Sequence, residues 1–261
     1  MNWNAFKGAA KRIDDIDLPR IGARIGVGED ELHAFMDVEA AGSGFDSHGR
    51  PKMLFEPHVF YRNLSGTKRS RAMSAGLAYS RWGTKPYPKD SYPRLVAAME
   101  IDETAALKSA SWGLGQILGE NYKSVGFSSP QAMVLAFMND EEEHLEAIVN
   151  FLIANHIDDD LKAHNWAVVA CVYNGPGYAK HNYHGRMAMA YAKWRKIRDT
   201  PWTSAPPKPV PQPDDPGPIP DPLEPDVILD DDERSYVPEL IGIGAVLTVA
   251  IAIFIVVKFV L

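Results

Sequence analysis

Apolar residues recur at helical spacing over most of the first 199 positions. Leu32, Phe35, Met36 and Ala40 line one face of Glu29–Ala40, and Gly42 supplies a stop. The same period runs through Tyr92–Leu107, Pro130–Met138, Glu141–Ile157, Asn165–Tyr173 and Gly185–Ile197. Strand signals are weak. They are confined to Phe45–Tyr61, where Gly44, Gly49 and Pro51 punctuate the chain and predict one short hairpin. The pattern therefore predicts a mainly α head with a small β-hairpin.

Beyond position 199 the pattern changes twice. Eleven prolines fall between Pro201 and Pro225, followed by the acidic run Asp230–Glu233. Such a segment cannot supply helix or sheet interior and favours extended polyproline II. Then Leu240–Val257 reads LIGIGAVLTVAIAIFIVV, 18 residues without a charge. At about 1.5 Å per residue that run nearly matches a bilayer core of roughly 30 Å. The expected organisation is a head over 1–199, a proline-rich acidic linker over 200–239 and a single transmembrane helix over 240–261.

Charge sharpens this division. The chain has 27 Lys+Arg against 34 Asp+Glu, a net of −7. The last 62 residues hold only Lys208, Arg234 and Lys258 against ten acids, so the excess belongs to the tail and the head is neutral. A neutral head argues against a nucleic-acid partner, which calls for a basic excess. Two local basic stretches, 62–94 and 180–198, read as solvated surface, with attraction to an anionic polymer as the functional alternative. Cys171 is the only cysteine and sits in the apolar stretch Ala167–Val172, so it is expected to be a small buried hydrophobe. No apolar leader is visible near the N-terminus.

Three segments carry candidate chemistry. Val38–Phe45 (VEAAGSGF) places Glu39 in the last turn of a helix before a glycine-rich turn. There the helix dipole disfavours a carboxylate, and burial against apolar neighbours such as Phe45 disfavours it further. A carboxyl held protonated near neutrality is what a glycosidase needs to protonate a leaving oxygen. Ser109–Ile117 (SASWGLGQI) offers Trp112 as a flat apolar face and Gln116 as an amide for sugar hydroxyls or N-acetyl groups. Val172–Tyr178 (VYNGPGY) ends a helix with Tyr173 and Asn174, and its Gly-Pro-Gly turn aims them toward a cleft.

The order of these segments, together with LFEPHVFYR (Leu54–Arg62) and the stretch Ser91–Phe127, resembles the superfamily of goose-type lysozymes and soluble lytic transglycosylases. The similarity is closer to the N-acetylmuramidase domain of phage endolysins and covers Asp17 to Trp194. It implies a lysozyme-like helical fold and hydrolysis of the β-1,4 bond between N-acetylmuramic acid and N-acetylglucosamine. By position, Glu39 resembles the catalytic acid, and Gln116, Tyr173 and Asn174 resemble residues lining the sugar cleft. One departure is Ala40, where a serine usually follows the glutamate.

The second catalytic group stays open between Asp46 and Glu56, the latter with His58 as neighbour. A route with one acid, assisted by the substrate's N-acetyl or 6-hydroxyl group, is also open. The 6-hydroxyl route is lytic transglycosylation, giving a 1,6-anhydro product. Histidines form no HExxH, so no metal is expected, and no cofactor is needed.

The expected partner is bacterial peptidoglycan, with a membrane held through the C-terminal helix. Only Lys258 follows the span, which leans toward a cytoplasmic C-terminus. Without a leader the head is nonetheless expected on the cytoplasmic face before lysis. It would then reach the wall after a membrane-breaching protein such as a holin acts. A non-catalytic membrane-anchored glycan tether and a virion-associated wall-opening protein are the competing readings.

Overall fold

The computed structural model describes residues 3–39, 42–175 and 177–203. The expected linker beyond 203 and the expected span at 240–261 lie outside the described residues. Among the described residues no helix is long and apolar enough to cross a membrane.

The head is mainly helical, as its periodicity predicts. The described helices are α1 (Asp17–Gly22), α2 (Glu29–Glu39), α3 (Pro57–Asn63), α4 (Gly66–Ser74), α5 (Tyr92–Met99), α6 (Glu103–Lys108), α7 (Pro130–Asn139), α8 (Glu141–Ala154), α9 (Asp158–Lys162), α10 (Trp166–Asn174) and α11 (Tyr183–Trp194). Local chemistry sets several starts. Ser129 accepts from the Ala132 amide ahead of Pro130, and Asp140 accepts from the Glu142 amide at 2.9 Å. Three glutamates in the first turn of α8 complement its dipole. The stretch Tyr92–Leu107, expected as one helix, is two. Asp102 is extended, and its carboxylate accepts from the Ala105 amide at 2.9 Å, capping a new helix.

The sheet differs from the expected hairpin. Strands β1 (Met53–Phe55), β2 (Ala110–Trp112) and β3 (Ile117–Leu118) form an antiparallel sheet in that order. Met53 pairs with Trp112 and Ser111 with Leu118. Between Phe45 and Tyr61 only a single bridge, Phe45 with Pro51, closes a turn. The partner of β1 thus lies some sixty residues away, in the segment whose tryptophan, glycines and glutamine attract attention for another reason. Local turn signals say nothing of so distant a pairing.

Two apolar cores form. One gathers the sheet with α3, α5, α6 and α7 around Trp112, Phe55, Phe60, Leu95 and Phe137. The other gathers α1, α2, α8, α10 and α11 around Phe35, Leu32, Leu145, Ile148 and Met187. Trp112 belongs to the first and Leu114 to the second, so the β2–β3 loop joins them.

Candidate active site

Glu39 is the last residue of α2 and is fully buried. Asn174, the last residue of α10, donates its side-chain amide to Glu39 Oε1 at 2.8 Å. Gly175 then takes φ 77°, a left-handed value that glycine adopts at little cost, and turns the chain away. Tyr173, one residue earlier, donates its hydroxyl to the Gly115 carbonyl at 2.6 Å. Burial, with the nearby Glu39 charge as the smaller cause, holds the Tyr173 phenol well above its ordinary value. Tyr183 on α11 is raised for the same two reasons in the same order. Two neutral phenols thus stand around the Glu39 carboxyl.

The β2–β3 loop faces α10. Gln116 sits at φ 48°, a conformation that costs a non-glycine residue roughly 1–3 kcal/mol unless its surroundings fix it. They do: its side-chain amide donates to Gly113 O at 2.9 Å and Lys52 O at 3.2 Å. Both amide hydrogens are therefore spent on backbone, and only the Gln116 side-chain oxygen is left to meet a ligand. Gly115 is required by closeness. A Cβ there would lie 2.4 Å from Ile148 and 2.8 Å from the Tyr173 hydroxyl.

The structure brings Glu39, Asn174, Tyr173 and Gln116 to this junction and places the other sequence candidates elsewhere. Trp112 is fully buried in the first core, and its indole N–H donates to Leu107 O at 3.1 Å. It offers no face to a sugar, contrary to the reading of that segment as a sugar platform. All three residues of β2 are buried, and turn glycines nearby do not change that.

Asp46 caps its own turn. It accepts from the His48 and Arg50 amides at 2.8 and 3.0 Å and pairs with the Arg50 guanidinium at 2.7 Å. Burial pulls its carboxyl upward, but those Arg50 and His48 bonds prevail and hold it below the usual carboxylate range. Glu56, fully buried just before α3, accepts from the Tyr87 hydroxyl at 2.5 Å and lies 3.3 Å from His58 Nδ1. Its Oε1 has no hydrogen-bond partner among the described residues.

A family model for N-acetylmuramidase matches residues 29–195. That span is well over half of the chain and contains every residue of the junction. The chain belongs to the N-acetylmuramidase family. Among solved structures it is similar to the crystal structure of a Burkholderia AP3 phage endolysin. The two are 32% identical with a TM-score of 0.67, over 72% of this chain and 73% of that one. No curated protein matches it in sequence. The chain is a glycoside hydrolase of peptidoglycan.

The muramidase also has two buried polar residues that sequence reasoning missed. Glu141 and His144, one turn apart on α8, are buried beside the loops of the junction. His144 Nδ1 accepts from the Leu114 amide at 3.2 Å, which leaves its Nε2–H to donate to Phe137 O at 2.8 Å. Burial lowers the imidazole to about 4, against smaller raising effects of the Phe137 carbonyl and the Glu141 and Asp140 charges. Phe45, expected to desolvate Glu39, packs on His144 with ring centroids 5.2 Å apart. Glycine supplied the only signal in the sequence. Side chains at Gly44 and Gly113 would collide with His144, at 2.3 and 2.8 Å. A glycine shows that something is close, not what it is.

Proposed function

We propose that the muramidase cleaves the β-1,4 bond between N-acetylmuramic acid and N-acetylglucosamine with Glu39 as general acid. One observation carries this reading: a fully buried glutamate at the C-terminal end of a helix, held by an amide donor and flanked by two neutral phenols. Burial and the helix dipole disfavour the charged form, whereas the hydrogen bond donated by Asn174 favours it. Glu39 passes its proton to the glycosidic oxygen, the bond to the anomeric carbon breaks, and water attacks that carbon. The carboxylate left behind accepts the proton that water sheds. General acid catalysis of this kind contributes about 10²–10⁴-fold. A pure glycan tether would have no use for a carboxyl held at the cost of burial.

Lytic transglycosylation is the second reading, and a specific observation favours it. Asp46 is saturated by Arg50 and His48, and Glu56 is sealed beneath Tyr87, so neither is presented as a second catalytic carboxylate. With one acid, the muramic 6-hydroxyl competes with water for the anomeric carbon.

Digestion of isolated peptidoglycan by the full chain in mild detergent, beside Glu39→Gln, tests both. Reducing muramic ends from the wild type alone support hydrolysis, and 1,6-anhydro ends support transglycosylation. Glycan binding without cleavage would restore the tether.

The tail completes the proposal. A proline arm and an 18-residue apolar run would hold the head at a membrane. The head would wait on the cytoplasmic face until a holin-like protein opens the way. Proteolysis of the head from outside intact spheroplasts would overturn that arrangement.

A further inference from the structure

Both loops of the junction end on one short stretch of α8. Glu141 Oε1 accepts from the Gly44 amide and from Ser43 Oγ, the latter at 3.2 Å. Its Oε2 accepts from the Ile13 amide at 3.3 Å and pairs with Arg12 Nε at 2.9 Å. The Glu141 amide in turn donates to Lys11 O at 2.9 Å. Glu141 is 3% exposed, so a buried carboxylate here is matched by four donors rather than left to solvent. One turn further on, His144 accepts from the Leu114 amide of the β2–β3 loop. At Gly44 and Gly113 the imidazole fills the space a side chain would take.

Ser43 and Gly44 follow Glu39 by four and five residues, and Gly115, one residue past Leu114, takes the Tyr173 hydroxyl. The two backbone segments that flank the acid are therefore referred to a single rigid helix turn. We propose that Glu141 and His144 are positioning residues of the muramidase. Together they form a clasp on α8 that fixes the Ser43–Gly44 segment against the Gly113–Gln116 loop and so sets where Glu39 meets the glycosidic oxygen. The proposal rests on the reading of Glu39 as the acid. Both residues are buried, and the clasp acts through the Gly44 and Leu114 amides and the Ser43 hydroxyl.

The chemistry of the two bonds supplies the test. In His144→Asn a side-chain oxygen stands where Nδ1 stood and keeps the Leu114 bond, while the Phe137 bond is lost. In His144→Gln the amide reaches the Nε2 position and keeps Phe137 but gives up Leu114. A merely structural role would rank these two variants by stability alone. The clasp ranks them by the Leu114 bond. The full chain in detergent is assayed on peptidoglycan as wild type, Glu39→Gln, Glu141→Gln, His144→Asn and His144→Gln, with amide hydrogen exchange read over 42–46 and 113–116.

Glu141→Gln and His144→Gln should lose about 10- to 100-fold in kcat with KM little changed, since a displacement near 1 Å is worth that much. His144→Asn should retain most of kcat. Exchange should quicken at 42–46 in Glu141→Gln and at 113–116 in His144→Gln. Full kcat in Glu141→Gln, or His144→Gln outperforming His144→Asn, would overturn the clasp. So would unchanged exchange in both loops. Failure of the Glu39 reading looks different: Glu39→Gln would then match the wild type, whatever the α8 variants do.

Discussion

Glu39 and Glu56 are both fully buried, yet the two cores treat them differently. Glu39, beside the second core, ends a helix and meets an amide from another helix end, with Tyr173 on that same helix and Tyr183 on a third. Glu56, in the first, precedes a helix beginning Pro57, and its Oε2 lies under a tyrosine hydroxyl and beside an imidazole. Burial alone does not make a catalytic acid. What separates the two is the set of partners each environment supplies. Glu39 meets Asn174, whose neighbour Tyr173 ties α10 to the β2–β3 loop. Glu56 stands behind the loop carrying Tyr87, whose phenol is driven up first by burial and then by the Glu56 charge.

Paired substitutions break or sharpen this contrast. Glu39→Gln should cost about 10²–10⁴-fold in muropeptide release with folding intact. Glu56→Gln should stay within about threefold of wild type in rate. Its penalty should appear instead in urea unfolding, about 1–3 kcal/mol from the disturbed Tyr87 bond. Equal rate losses would make Glu56 a second catalytic group and undo the contrast.

Trp112 carries the next largest effect and shows how legible the site was. Replacing it with alanine removes the largest fully buried side chain of the first core and should cost about 3–5 kcal/mol in unfolding free energy. A surface aromatic such as Trp82, 45% exposed, should cost little when changed to alanine. From sequence, Trp112 among glycines reads as a sugar platform, because composition does not reveal which way a strand residue points. The helix ends at Glu39 and Asn174 were legible from the glycines that follow them, a local feature. Their meeting depends on α2 and α10 packing in the second core, which only the fold supplies. Long helices were legible from their period. The short ones at Asp17–Gly22 and Asp158–Lys162 were not, since six or five residues hold too few turns to show one. The sheet was misplaced for a related reason: β1 finds its partner far along the chain, not across the nearby turn.

His144 sets a pH dependence where the two cores meet, bonded to Phe137 of the first and Leu114 of the second. Its imidazole is depressed to about 4 in the folded chain, against about 6.5 unfolded. Between these values the unfolded state binds the extra proton, so stability rises with pH there. Stability is fully present above about pH 6.5 and is lost as pH falls toward 4, by about 3 kcal/mol in all. Urea melts at pH 7 and pH 4.5 check this. His144→Gln should flatten the difference, and an equally steep fall in that variant would assign the loss to other groups.

Tyr173→Phe gives the smallest effect and the sharpest division of roles. The change removes one hydroxyl and leaves the Gly115 carbonyl, which is buried, without that donor. The expected cost is about 1 kcal/mol, a shift of roughly 2–4 °C in Tm for a head of this size. Activity should fall by less than about tenfold, the loss coming from a loosened β2–β3 loop. A phenol raised well above its ordinary value by burial is a poor acid near neutrality, so Tyr173 should not supply the proton. If Tyr173→Phe instead matched Glu39→Gln in rate loss with Tm unchanged, the phenol would belong to the proton-transfer chemistry, and Glu39 would be its partner rather than the lone acid.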